Sequence, residues 1–268
     1  MSLFSNYFQN PAMPVIIAGP CVIESRDMAL RHAEELAVIT EQVGLPLVFK
    51  ASYDKANRTS IDSFRGVGIE RGLGALAEIK KQFNLPILTD VHTPAEARMA
   101  ADVVDILQIP AFLCRQTDLL TAAGLTGCVV NVKKGPFVSG RQMKHVADKI
   151  RRTGNSQIIL TERGTSFGHG DLVVDFRDIV EMQELGYPVV YDATHSVQQP
   201  GAGGTLSGGN RQYIEPLAAA ALALHVSGLF FEVHENPDAA YSDRETQIAL
   251  ADFSPLLDRL LETYALDK

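Results

Sequence analysis

The chain has 268 residues, 24 of them basic and 32 acidic, for a formal net charge of −8, and it contains no tryptophan. Apolar residues make up 46% and charged residues 21%, which is globular composition and excludes a wholly disordered chain. The acidic surplus argues against a general nucleic-acid binder, which carries a basic face, and against docking on an anionic membrane. No apolar run reaches the ~18 residues of a membrane-spanning helix. The N-terminus, MSLFSNYFQN, lacks the basic start and apolar stretch of a signal peptide. Three cysteines (Cys21, Cys114 and Cys128) are an odd number that fits reduced thiols in the cytoplasm.

In chain order, β-rich runs fall at 15–19, 47–52, 87–91, 106–109, 129–133, 158–163, 189–193 and 228–233. Segments between them, among them 28–43, 69–83, 94–101, 142–152 and 213–225, carry spaced apolar residues with many Ala, Leu, Glu and Lys, and read as amphipathic helices. Strand–helix alternation predicts parallel strands joined by crossover helices. Eight such units in this length predict a single-domain (β/α)8 TIM barrel over 1–268, with a short N-terminal extension over 1–13. The alternative is an open doubly wound sheet, which normally shows GxGxxG after its first strand. Here that turn is Gly19, Pro20 and Cys21. No linker or low-complexity tract divides the chain. The stretch 201–209, GAGGTLSGG, follows the seventh strand and reads as a mobile loop.

Barrel enzymes carry their chemistry at the C-terminal ends of the strands, and those ends are polar here. Strand two runs into Lys50, Ser52, Asp54, Lys55, Asn57 and Arg58, and strand three into Asp90 and His92. Strand four carries Gln108 and leads to Arg115. Strands five and six end in Asn131, Lys133, Glu162 and Arg163. Period-two alternation puts Lys50 with Ser52, Asn131 with Lys133, and Thr161 with Arg163 on common faces. If those faces point inward, one mouth collects Lys50, Lys55, Arg58, Arg115, Lys133 and Arg163. Six cations in one place need anionic partners, such as phosphates or a phosphate and a carboxylate, with Asp54, Asp90 and Asp192 as structural neutralisers.

A second group comprises Cys21, His195, Glu232 and Asp243, from the ends of strands one, seven and eight and the loop beyond. These strands are neighbours in a closed barrel. Thiolate, imidazole and two carboxylates suit a divalent transition metal. There is no CxxC or HxxxH spacing, so Cys21 reads alternatively as a small buried hydrophobe and His195 as a hydrogen-bonded loop histidine. Glu232 closes the apolar run GLFFEV, where an unpaired carboxylate is costly. His234 reads as a partner of this group or a spare ligand. Cys114 and Cys128 read as packing residues, and His32, His145 and His225 as structural or exposed. His169 carries no assignment.

The stretches AGPCVIES (18–25), FKASYDKANRTS (49–60), LQIPAFLCRQTDLL (107–120), NVKKGPF (131–137), LTERGTSFG (160–168), YDATHSVQ (191–198) and FFEVHENPDAAYSD (230–243) resemble the 3-deoxy-D-manno-octulosonate 8-phosphate (KDO 8-phosphate) synthases, in that family's order over nearly the whole chain. The resemblance implies a (β/α)8 barrel and a homotetramer. It implies condensation of phosphoenolpyruvate with D-arabinose 5-phosphate and water, for lipopolysaccharide synthesis in a Gram-negative cytoplasm. It assigns Lys50, Ser52, Lys55, Gln108, Lys133 and Arg163 to substrate, mainly the anions of phosphoenolpyruvate. Asn57, Arg58 and Thr59 go to arabinose 5-phosphate, and Arg115 to that phosphate across a subunit interface. Lys50, Lys55, Lys133, Arg163, His195 and Asp243 are the implied catalytic group. Metal-free members replace the GPC turn with one containing asparagine. Cys21 therefore implies the metal-dependent type, with Zn, Fe, Mn or Co on Cys21, His195, Glu232 and Asp243. The related synthase that uses erythrose 4-phosphate typically reads KPRTS where this chain has KANRTS (55–60). A non-catalytic sugar-phosphate sensor on the same scaffold is the other alternative.

Overall fold

The computed structural model describes residues 3–9, 13–58, 60–203 and 206–266. Eight parallel strands make the inner wall: β1 (Val15–Gly19), β2 (Leu47–Lys50), β3 (Ile87–Asp90), β4 (Ile106–Ile109), β5 (Val129–Lys133), β6 (Ile158–Glu162), β7 (Val189–Asp192) and β8 (Gly228–His234). Each pairs with the next. β8 returns to β1 with Val15 opposite Gly228 and Gly19 opposite Glu232, so the sheet closes and the open-sheet alternative falls. The crossovers that parallel strands require are α1 (Arg26–Gln42), α2 (Ile69–Phe83), α3 (Pro94–Ala101), α4 (Thr117–Leu125), α5 (Met143–Arg151), α6 (Phe176–Glu184) and α7 (Ile214–Ala223), and α8 (Leu250–Leu266) follows β8. No described helix is long and apolar enough to cross a membrane.

Local chemistry sets the helix starts. Ser25 opens α1 by accepting a hydrogen bond from the Met28 amide at 3.2 Å. Thr93 caps α3, its hydroxyl accepting from the Glu96 amide at 3.2 Å, with Pro94 as the first helical residue. Two short antiparallel hairpins decorate the C-terminal face: Thr165–Phe167 with Asp171–Val173, and Gln198–Gly203 with Leu206–Gly209. The second runs through the stretch 201–209 expected as a loop, of which 204 and 205 lie outside the described residues. Glycine permits extended backbone, and Gln198 pairs with Gly209 and Gly203 with Leu206.

Alternation along the strands separates two cores. Outward residues such as Phe49, Leu107, Val132 and Phe231 pack beneath the helices. Inward residues Val15, Ile17, Val48, Leu88, Ile106, Val129, Ile159, Val190 and Phe230 fill the lumen. Phe4 and Phe8 of the N-terminal segment close its lower end, so the extension plugs the barrel. Above this apolar floor the inward positions turn polar. In a dry interior such groups need partners. Thr161 donates to Asn131 Oδ1 (2.7 Å), Asn131 Nδ2 to Gln108 Oε1 (2.8 Å) and Gln108 Nε2 to Asp90 Oδ1 (2.7 Å), a continuous belt across four strands.

The plug lies at the end of the barrel opposite the strand C-termini. Phe8→Ala is therefore expected to cost about 3 kcal/mol of stability, the usual scale for a buried phenylalanine, while leaving kcat within about twofold. Urea unfolding alongside steady-state kinetics checks this.

Candidate active site

A cavity of about 300 Å³ opens at the C-terminal mouth. Lys55, Asn57, Arg58, Lys133, Arg163, His195 and Asp243 line it, together with Asp90, His92, Gln198, Tyr241 and Arg244. Its cations arrive from different strands and meet carboxylates inside. Lys50 does not line the cavity: it is fully buried and donates to Glu232 Oε1 at 2.7 Å and to the Cys21 carbonyl at 3.1 Å. Gly19 lets the β2 backbone come close to β1 here: a Cβ there would lie 2.0 Å from the Lys50 carbonyl oxygen. Lys133 donates to Asp192 Oδ2 at 2.6 Å and lies 3.7 Å above the Phe230 ring. Lys55 stands 3.5 Å from Asp90 and 3.8 Å from Glu232.

The charges move one another's protonation. Burial opposes the charge on Lys55, but Cys21, Asp90, Glu232 and Asp243 outweigh it and hold the ammonium well above the ordinary lysine value. Burial lowers Lys133, with Lys50 adding to the effect and Asp192 opposing it. Burial also opposes ionisation of Asp90, yet Lys55, Lys50 and Lys133 hold it well below the carboxylate range. Arg163 is lowered by burial. It donates to Gln198 Oε1 at 3.0 Å. Arg58 donates to the Phe64 carbonyl at 3.0 Å and to Ser242 Oγ at 2.7 Å, while its Nη2 is buried without a partner. A guanidinium with a free buried N–H beside a cavity is an anion site in waiting.

Not every expected residue lines the cavity. Ser52 is fully buried and bonds Asp90, and Gln108 belongs to the belt below. Thr59 lies outside the described residues. Arg115 is exposed before α4 and does not line the cavity of its own chain, because the turn Ala111–Leu113 carries it past the rim. Of the three aspartates named as neutralisers, Asp90 and Asp192 serve. Asp54 instead pairs on the surface with Arg65, whose Nε donates to it at 2.9 Å. Sequence reasoning gave no role to Gln198, Arg244 or Ser242. Only the tertiary fold brings their loops to the rim.

Cys21, Glu232 and Asp243 place ligand atoms within 4.8 Å of one another. Cys21 Sγ is 3.2 Å from Asp243 Oδ2. His195 lies outside that set but beside its carboxylates, its Nε2 3.4 Å from Glu232 Oε2 and 3.6 Å from Asp243 Oδ2, while Asp192 accepts at Nδ1. Glu232 Oε2 is buried and makes no hydrogen bond. A buried carboxylate oxygen with a free lone pair, beside a thiol and an imidazole, fits a divalent cation. Asp243 is held in left-handed backbone at φ 48°, a conformation uncommon outside glycine and found at functional sites. Burial, Asp243 and Glu232 together push the Cys21 thiol well above its ordinary value. His234 stands apart, 3.5 Å from Glu24 and with its ring tilted 53° to that of His32.

A closed parallel barrel with cations and carboxylates gathered around a cavity at its C-terminal mouth defines an enzyme of small anionic substrates. The chain belongs to the DAHP synthetase I family, whose model matches residues 10–265. It is 54% identical over 246 residues to the 2-dehydro-3-deoxyphosphooctonate aldolase of Trichlorobacter lovleyi, covering 92% of this chain and 90% of that protein. It is 55% identical over 261 residues to the protein of the same name from Granulibacter bethesdensis, covering 97% and 93%. Against that of Bartonella bacilliformis it is 50% identical over 261 residues, again covering 97% and 93%.

Asp192 is the shared partner of the buried Lys133 ammonium and of His195 Nδ1. Asp192→Asn is expected to leave Lys133 uncompensated and to cost roughly 3–5 kcal/mol. Urea unfolding measures this, and a loss under about 1 kcal/mol contradicts the pairing.

Proposed function

We propose that this chain condenses phosphoenolpyruvate with D-arabinose 5-phosphate and water to 3-deoxy-D-manno-octulosonate 8-phosphate and inorganic phosphate, for lipopolysaccharide biosynthesis in the cytoplasm. The observation that carries the reading is one cavity lined both by Lys133 and Arg163, from β5 and the end of β6, and by Asn57 and Arg58 from the loop after β2. Two anion-binding groups on different walls suit two phosphorylated substrates. The relatives' name and the KANRTS block favour the eight-carbon product over the seven-carbon one.

In this reading Lys55, Lys133 and Arg163 hold the phosphate and carboxylate of phosphoenolpyruvate, with Lys50 and Gln108 supporting from below. Asn57, Arg58 and Thr59 take the sugar phosphate. C3 of phosphoenolpyruvate attacks the aldehyde, positive charge develops at C2, water adds there, and the tetrahedral intermediate expels phosphate by C–O cleavage. The cations bind and orient, so their contribution is chiefly positional. Asp192 takes the His195 Nδ1 proton and so turns the Nε2 lone pair toward Glu232 and Asp243; Asp243, which lines the cavity, is the carboxylate placed to hold or pass a proton there. The dry polar floor excludes bulk water from the reacting carbons.

The chemistry of Cys21, His195, Glu232 and Asp243 supports a divalent metal, Zn, Fe, Mn or Co. When bound, it would supply Lewis acidity toward the aldehyde or the attacking water. A homotetramer is the proposed assembly. Arg115 is exposed and outside its own cavity, as a residue serving a neighbouring subunit's site must be.

Phosphate release with both substrates present tests the function. Release with arabinose 5-phosphate at a higher kcat/KM than with erythrose 4-phosphate is expected. Faster use of erythrose 4-phosphate sinks the assignment, and no release with either aldehyde favours the sensor. Exhaustive chelation is expected to abolish turnover, with Mn²⁺, Co²⁺ or Zn²⁺ restoring it. Cys21→Asn is expected to lower metal retained on dialysis by about tenfold or more. Full activity in metal-free protein, verified by elemental analysis, refutes the metal.

A further inference from the structure

Behind the barrel wall, Lys134, Glu162 and Asp178 form a second charge cluster that the reaction does not use. All three are buried, Lys134 and Glu162 completely. Lys134 Nζ donates to the Val138 carbonyl at 3.0 Å and to Thr165 Oγ1 at 2.9 Å. It pairs with Asp178 at 3.1 Å and with Glu162 at 3.4 Å. Glu162 Oε1 accepts from the Gly164 amide at 2.7 Å, and Asp178 Oδ1 from the Gly140 amide at 2.7 Å. Gly140 permits that contact, since a Cβ there would come within 2.6 Å of the Asp178 carbonyl oxygen. One ammonium thus joins the end of β5, the loop behind it, the end of β6, the hairpin at Thr165 and helix α6.

Two of these residues are chain neighbours of cavity cations. Lys134 follows Lys133, and Glu162 precedes Arg163. Alternation sends each pair to opposite faces, so whatever fixes the outer residue fixes the direction of the inner one. The strands are bound together at this level, with Lys133 opposite Thr161 and the Lys134 amide donating to the Thr161 carbonyl at 2.7 Å. Three buried charges are a poor source of net stability, because apolar replacements are often as stable. Their geometric effect is specific: they set the spacing of two cations, Lys133 and Arg163, that line one cavity.

We propose that Lys134, Glu162 and Asp178 are positioning residues that hold Lys133 and Arg163 in register for the anionic groups of phosphoenolpyruvate. The cluster has two carboxylates and one ammonium. Burial pushes Glu162 up to about 7, against the pull of Lys134. The charged or titratable groups facing it are Lys134 from the loop after β5, Asp178 from α6, Tyr191 from β7 and its neighbour Arg163. Ionised Glu162 completes the clamp on Lys134, and protonation near neutral pH loosens it.

The inference rests on the assignment of Lys133 and Arg163 to phosphoenolpyruvate, so Lys133→Met is the control. The isosteric Glu162→Gln and Asp178→Asn variants are compared with wild type by circular dichroism, thermal melting and steady-state kinetics from pH 6 to 9. A 1 Å misplacement costs up to about 100-fold. In each variant KM for phosphoenolpyruvate is expected to rise about tenfold, with KM for arabinose 5-phosphate within about twofold. Wild-type KM for phosphoenolpyruvate should rise as pH falls through about 7, and Glu162→Gln should flatten that part of the profile. The substrate phosphate titrates near pH ~6 in both proteins, so the difference between profiles reports Glu162. Should Glu162→Gln not fold, Asp178→Asn alone decides on the KM ratio. Equal rises in both KM values, or lower melting temperatures with unchanged kinetics, overturn the anchor while a raised KM in Lys133→Met leaves the anion site standing. An unchanged KM in Lys133→Met overturns both.

Discussion

The structure depends on one constraint: ammonium and guanidinium groups drawn into a dry barrel mouth must meet carboxylates there. An isolated buried charge costs several kcal/mol, and a pair recovers this only with close geometry and further hydrogen bonds. Lys50 with Glu232 and Lys133 with Asp192 meet that demand at 2.7 and 2.6 Å. These pairs link β2 to β8 and β5 to β7 across the lumen, so they brace the mouth as well as balance it. Lys55, Arg58 and Arg163 reach the cavity with capacity left over, and that surplus makes it attract anions.

The same pairs join the two halves of the site. Glu232 accepts from Lys50 through Oε1 while its Oε2 remains unbonded beside His195. One carboxylate therefore faces the cation wall with one oxygen and the candidate metal group with the other. Asp192 does the equivalent for Lys133 and His195. Whatever binds among Cys21, His195, Glu232 and Asp243 will change the field felt by the lysines. Anion affinity and metal affinity are expected to be coupled for that reason.

Much of the fold was legible in the chain. Short β-rich runs separated by helix-length segments can close only in a few ways, and the eight observed strands lie within one or two residues of the expected bounds. Period-two alternation was enough to put Lys133 and Arg163 in the mouth. Pairing between loops was not legible. Asp54 looks like a site residue beside Lys55, yet Arg65 eleven positions on captures it at the surface. The glycine-rich stretch gave no strand reading because glycine carries no pairing signal, yet Gln198 pairs with Gly209 and Gly203 with Leu206. Arg115 depends on something outside a single chain. The Lys134 cluster was not legible because neither KK nor ER shows that the fold buries both members of each dipeptide, one facing the barrel interior and the other behind its wall.

On the proposed function, the strand-end cations of one cavity hold phosphoenolpyruvate, and a crystal structure of this protein with phosphoenolpyruvate bound is the decisive measurement. The carboxylate and phosphate of the ligand are expected within hydrogen-bond distance of Lys55, Lys133 and Arg163, with C3 facing Asn57 and Arg58. A ligand seated elsewhere, or in this cavity with its anions turned away from Lys133 and Arg163, contradicts it.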